Sequence, residues 1–111
     1  MDEWGIGIFC EVFGDTPRNR VIEEFLTLGK LDYPSKGIAE NVTLPEKITS
    51  TIIKDLVKQG LVIPTRKVRG LQFYTFNKNN EQVKVLQKVF SQLLDSIAKE
   101  YSQKQNQIIQ T

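Results

Sequence analysis

Residues 34–60, PSKGIAENVTLPEKITSTIIKDLVKQG, and 61–77, LVIPTRKVRGLQFYTFN, decide the fold of this 111-residue chain. Ser35–Val42 has helical composition, and Ile38, Ala39 and Val42 give it one apolar face. Thr43 stands three residues before Glu46 in the Thr-x-x-Glu arrangement of a capping box, which predicts Thr43 as an N-cap. Pro45 then falls in the first turn, where a missing N–H is harmless. The helix so started runs to about Gln59, and Gly60 supplies the left-handed position that stops it. Two helices joined by so short a turn form a helix-turn-helix. Leu61–Ile63 and Leu71–Phe76 read as strands joined by a cationic turn, Thr65–Gly70, and this ribbon makes the unit winged. Pro64 cannot donate to a ladder, so its strand lies at an edge or stops there.

The faces of the second helix carry the functional expectation. At about 100° per residue, Ile48, Ile52, Ile53, Leu56 and Val57 occupy one half of its circumference. Lys47, Ser50, Thr51, Lys54 and Lys58 fall on the other, with Glu46 and Asp55 towards its edges. Short hydroxyls that reach bases and lysines that reach phosphates or guanine suit a major groove, so Glu46, Lys47, Ser50, Thr51 and Lys54 are the candidate DNA-binding residues of this helix. Lysine, serine and threonine are also ordinary residues of a solvated face, so the helix alone leaves both readings open. Arg66, Lys67 and Arg69 crowd a six-residue turn without an acid, a poor choice for a purely structural hairpin. Beside a basic helix face they suit a wing on the phosphate backbone or in a minor groove.

The run FGDTPRNRVIEEFL (13–26), then IAENV (38–42), then KDLVKQGLVIPTRKVRGLQFYTFN (54–77), resembles the winged helix-turn-helix domain of archaeal transcriptional regulators related to the multiple-antibiotic-resistance type. The resemblance covers about residues 13–86. It rests on Gly14-Asp15-Thr16-Pro17, Gly60-Leu61-Val62, Thr65-Arg66 and Tyr74-x-Phe76-Asn77, in that order and spacing. One departure is visible: such wings often place the glycine before the last basic residue, whereas here Arg69 precedes Gly70. The fold implied is α+β, mainly α: a winged helix-turn-helix with a long C-terminal helix.

The remaining chain divides around that unit. Residues 1–14 form an N-terminal segment, with a short helix expected over about 8–13 and Trp4 as an anchor. Residues 15–78 form the winged domain. Its first helix is capped by Asp15 or Thr16, has Pro17 at N1, buries Val21, Ile22, Phe25, Leu26 and Leu28, and ends at Gly29. Arg18 and Arg20 in its first turn, with Ser35 and Lys36, are candidate phosphate contacts; plain solvated arginines are the alternative. Residues 79–101 form one helix capped by Asn79 or Asn80, and 102–111 (SQKQNQIIQT) a polar tail in which it frays. Val83, Leu86, Phe90, Leu93 and Ile97 follow coiled-coil spacing, widened by Val89, Leu94 and Tyr101. Val83 and Leu86 are expected to close the domain's own core. Phe90, Leu93, Leu94, Ile97 and Tyr101 are expected to meet a second copy, a helix folded back on its own domain being the alternative.

Composition bounds the rest. One cysteine excludes an internal disulfide framework, and the absence of histidine excludes a histidine-based metal site or triad. No glycine-rich phosphate loop, CxxC pair or nucleophile beside a base is present, so neither an enzyme nor a cofactor is expected. No run is long enough to span a bilayer, and the leader is acidic, which points to the cytoplasm. The net charge of +2 divides into −4 over residues 1–15 and +6 over the remainder, so a basic body faces a polyanion. The expected function is sequence-specific double-stranded DNA binding by a homodimer on a palindromic site, as a transcriptional regulator. A protein–protein docking module and a sequence-neutral chromatin-type binder are the alternatives.

Overall fold

The computed structural model describes the backbone of residues 7–110 and the side chains of residues 7–102; the expectation for Trp4 lies outside them. Eight elements follow in order: α1 (Ile8–Phe13), α2 (Pro17–Leu28), β1 (Tyr33–Pro34), α3 (Ser35–Val42), α4 (Glu46–Lys58), β2 (Val62–Val68), β3 (Leu71–Phe76) and α5 (Glu81–Gln110). The sheet is antiparallel with order β1-β3-β2, so β2 is an edge strand and Pro64 sits where its missing donor is tolerated. The architecture is the winged helix-turn-helix with a long last helix, as the sequence implies.

The core is built from one face of each helix and the inner end of the wing. Val21, Ile22, Phe25 and Leu26 of α2 pack with Ile38 of α3, Ile53 and Leu56 of α4, Leu61 and Val62, Phe76 of β3 and Val83 of α5. Phe25 and Phe76 stack with ring centroids 5.4 Å apart, tying α2 to the last residue of the wing. Phe9 reaches this core from α1, and Cys10 beside it is also buried. Burial and the neighbouring Glu23 carboxyl push the Cys10 thiol up to about 12, so it is a protonated packing group at neutral pH.

Several local expectations hold in detail. Thr16 caps α2 by accepting the Asn19 N–H at 3.1 Å, with Pro17 at N1. Asn80 caps α5, its Oδ1 accepting from the N–H groups of Gln82 (2.7 Å) and Val83 (3.3 Å). Gly60 has φ +78°. Behind it the Leu61 N–H reaches the Leu56 carbonyl and the Gly60 N–H the Val57 carbonyl, both at 3.0 Å. That pair of bonds is a Schellman motif, sealed by contact between buried Leu56 and Leu61. A Cβ at Gly60 would meet only Asn80 Nδ2 at 3.5 Å, so substitution there is opposed by backbone conformation and not by crowding. Gly60→Ala is therefore expected to lower stability by about 1 kcal/mol, or roughly 4–8 °C in Tm for a domain of this size. An unchanged unfolding midpoint would show that the left-handed position carries no strain.

Four expectations are corrected. Thr43 is not an N-cap: it takes the left-handed conformation (φ 58°, ψ 52°) as the C-cap of α3. An N-cap needs extended backbone, and the three-residue reversal between the helices requires a left-handed residue instead. Helix α4 consequently starts with Pro45 in the cap position and no side-chain cap, leaving the Glu46 carboxylate outside any capping box. Second, Ile48 is exposed, and the buried line of α4 runs through Thr49, Ile53 and Leu56. Thr49 is fully buried without penalty because its hydroxyl donates to the Pro45 carbonyl at 3.1 Å. Third, the cationic stretch is mostly strand: β2 continues through Pro64 to Val68, and only Arg69-Gly70 turns. Both have positive φ, +51° and +82°, the requirement of a two-residue type I′ hairpin. Fourth, α5 continues through the polar run to Gln110 instead of fraying at residue 102. A stretch free of glycine and proline keeps its local hydrogen bonds even where it has no apolar stripe.

Candidate nucleic-acid interface

The face of α4 opposite its buried line carries Lys47, Thr51, Lys54 and Lys58, all exposed. Their placement follows from the helical repeat once Thr49, Ile53 and Leu56 face inward. Thr51 Oγ1 donates to the Lys47 carbonyl at 3.0 Å, so its hydroxyl presents lone pairs outward as an acceptor. Ser50 is half-buried at the edge of the face, and Glu46 is exposed at its N-terminal end. Asp55 and Ile48, both exposed, border the lysines on the far side. At the start of α3, Ser35 is half-buried and Lys36 exposed.

The arginines of α2 are engaged within the fold. Arg20 pairs with Asp15 through Nε–Oδ1 at 2.7 Å and Nη2–Oδ2 at 3.0 Å, and Nη1 donates to the Val42 carbonyl at 3.4 Å. It thereby ties the start of α2 to the end of α3. The Arg20 guanidinium holds the Asp15 carboxyl below its ordinary range. Arg18 Nη2 donates to Gln59 Oε1 at 2.6 Å, bracing the C-terminal end of α4. Both arginines therefore have partners within the fold, which composition and spacing do not reveal.

The wing distributes its cations unequally. Lys67 and Arg69 are exposed, and Arg69 stands in the left-handed tip with Val68 and Leu71 paired beneath it. Arg66 is also exposed, its side chain by 60%, but it forms a two-pronged pair with Asp32, Nε–Oδ2 at 3.0 Å and Nη2–Oδ1 at 3.1 Å, and lies 4.6 Å above the centre of the Phe73 ring. Asp32 has no place in the sequence reading, because nothing local marks an acid 34 residues upstream as the partner of Arg66.

On α5, Phe90 packs against the domain's own core, although its spacing predicted a partner-facing role. The boundary between inward and outward residues lies just beyond it: Leu93 is half-buried, while Leu94, Ile97 and Tyr101 are exposed by 47%, 42% and 64%. Val12 and Phe13 of α1 are exposed as well. Among the described residues no helix is long and apolar enough to cross a membrane, and no group of acidic, cysteine or histidine side chains gathers to hold a metal ion.

No family model matches this chain, and no curated protein matches it in sequence. Solved structures do resemble it. The adhesin competence repressor AdcR of Streptococcus pyogenes superposes with a TM-score of 0.61 at 15% identity, covering 80% of this chain and 66% of that one. A variant of ZitR from Lactococcus lactis gives 0.62 at 14% identity, over 87% of this chain and 73% of that one. The transcriptional regulator HlyU of Vibrio vulnificus gives 0.57 at 20% identity, over 78% and 83%. This chain therefore has the winged-helix fold found in those transcriptional regulators.

Proposed function

We propose that the protein is a dimeric, sequence-specific double-stranded DNA-binding transcriptional regulator of the multiple-antibiotic-resistance type, acting in the cytoplasm. The observation that carries this reading is the exposed Lys47–Thr51–Lys54–Lys58 face of α4, opposite the core and followed directly by a wing with exposed Lys67 and Arg69. In this reading α4 enters the major groove, where Thr51 and Lys54, with Glu46 and Ser50 at the margins, meet base edges. Lys47 and Lys36 meet phosphates, and Lys67 and Arg69 hold the wing on the backbone or in the minor groove. The likeness in fold to known regulators supports it. A two-fold pair of such units joined through the distal part of α5 would read half-sites about one helical turn, roughly 34–36 Å, apart.

Selection of binding sites from random duplex DNA tests the reading, with two variants as controls. Thr51→Ala with Lys54→Ala is expected to relax sequence preference, by about 1–3 kcal/mol at the contacted base pairs. Lys67→Ala with Arg69→Ala is expected to weaken all duplexes alike and to lower the slope of log affinity against log salt by about two. Enrichment of no motif, with steep salt dependence retained, would favour a sequence-neutral binder; no binding to any duplex would leave a protein-docking module.

A further inference from the structure

The wing contains an irregularity that the sequence does not announce. Strand β2 pairs with β3 at Pro64↔Tyr74 and again at Lys67↔Gln72. Thr65 and Arg66 therefore stand together opposite the single residue Phe73, which is a β-bulge. A bulge breaks the alternation of side chains and re-aims the residues within it. Here both bulged residues reach one carboxylate. Asp32 accepts from Thr65 Oγ1 at 2.6 Å and from Arg66 Nε and Nη2 at 3.0 and 3.1 Å. The Asp32 side chain is 20% exposed beneath them, while that of Arg66, which covers it, is 60% exposed. Gln72 Nε2 donates to the Arg66 carbonyl at 3.0 Å, which satisfies an acceptor in the interrupted stretch of ladder.

The same short link grips the other wing strand. Thr75 Oγ1 donates to the Leu31 carbonyl at 3.1 Å, and β1 pairs Tyr33 with Tyr74 and Pro34 with Phe73. Asp32, bonded to β2, thus sits between Leu31 and Tyr33, which bond to β3. Beyond the bulge only Lys67, Val68 and the Arg69-Gly70 turn remain, so the bulge sets the direction in which the two outer cations project.

We infer that Asp32 is a positioning residue for DNA binding: with Thr65 it holds Arg66 in an anchor that aims Lys67 and Arg69. This deepens the reading of the wing as a DNA contact and rests on it. The Arg66 and Thr65 hydrogen bonds hold the Asp32 carboxyl below the usual carboxylate range, so the anchor is charged throughout the neutral range. The geometry of the fork also matters: a guanidinium meets a carboxylate with two parallel bonds, which an ammonium cannot reproduce.

The inference predicts a sign opposite to simple electrostatics. Removing a carboxylate from a DNA-binding protein raises its net positive charge and, with nothing else altered, tightens binding. Here Asp32→Ala and Asp32→Asn are expected to weaken binding of the full chain to a mixed-sequence 30-base-pair duplex, by about five- to twentyfold, with a shallower salt slope as the outer cations lose their register. Arg66→Ala should match that loss, Arg66→Lys should restore little of it despite keeping the charge, and Asp32→Ala/Arg66→Ala should be no worse than either single variant. Fluorescence anisotropy at several salt concentrations reads all of these, with circular dichroism as the folding control. Asp32→Asn preserves side-chain volume and decides the matter if Asp32→Ala does not fold. Wild-type or tighter binding by Asp32→Asn, or wild-type binding by Arg66→Lys, overturns the inference. Lys67→Ala with Arg69→Ala on the same duplex separates the two levels: a loss there beside an unaffected Asp32→Asn overturns this inference alone. No loss in that double variant overturns the wing reading and the inference together.

Discussion

Leu94→Asp combined with Ile97→Asp is expected to turn a dimer into a folded monomer and to cut operator affinity at least a hundredfold. Helix α5 has 30 residues, so at 1.5 Å each it extends about 45 Å. That length gives the molecule a longest dimension of 58 Å against 30 and 25 Å. The radius of gyration is 16.1 Å, where a compact chain of this length has about 13 Å. Among the described residues of α5, Val83, Leu86 and Phe90 pack on the core of the winged body. Among the described residues, Leu94, Ile97 and Tyr101 present exposed apolar surface. Covering what remains of each is worth about 1 kcal/mol, and a two-fold pairing covers both copies. An aspartate in such a seam adds an uncompensated buried charge, which costs several kcal/mol more. Neither position supports the monomer's core, so circular dichroism should be preserved. The loss of affinity follows because a dimer's second half-site binds at high effective concentration, typically worth 10²–10⁴-fold. Sedimentation at micromolar concentration checks both points. A wild type that sediments as a monomer there, or a double variant that stays dimeric, removes this seam from the model.

Phe25→Ala should be the most damaging single truncation in the winged body, lowering its stability by about 3–5 kcal/mol. Phe25 is 1% exposed and stacks on Phe76, so the ring joins the helix that backs α3 and α4 to the strand that ends the wing. Its removal leaves a cavity that rigid elements on several sides cannot close. Domains of this kind have about 5–15 kcal/mol in total, so the variant should sit near its unfolding transition on modest warming. Denaturant titration measures the change. A loss below about 1.5 kcal/mol would mean that the core relaxes into the space and that the stack is not a principal brace.

How much of this was legible beforehand depends on the range of the interaction. Gly60, Thr16, Pro17, Gly29 and Asn80 were read correctly because each acts within a few residues of itself: a backbone region or a cap is decided by the nearest amides. The amphipathic stripe of α2 was legible for a similar reason, since one contiguous face is buried. Thr43 departs from its local pattern because Thr-x-x-Glu is compatible with a cap but does not compel one, and the reversal between α3 and α4 takes a left-handed residue there. Thr49 has no apolar signature in the sequence, and its burial depends on the bond from its hydroxyl to the Pro45 carbonyl. Phe90 fits both faces of the α5 pattern, and only the position of the body beside it assigned the ring inward.

By itself, then, the sequence determined the order of the helices and the two wing strands, because these follow from periodicity, caps and turn residues along short stretches; the short strand β1 (Tyr33–Pro34), which exists only through its pairing with β3, has no such local signal. Tertiary structure alone decided which arginines have partners within the fold. Arg18, Arg20 and Arg66 are indistinguishable in the sequence from Lys67 and Arg69, yet Gln59, Asp15 and Asp32 engage them from 41, 5 and 34 residues away. Whether a surface charge is held by a partner is a property of distance in space, and local pattern carries no record of it.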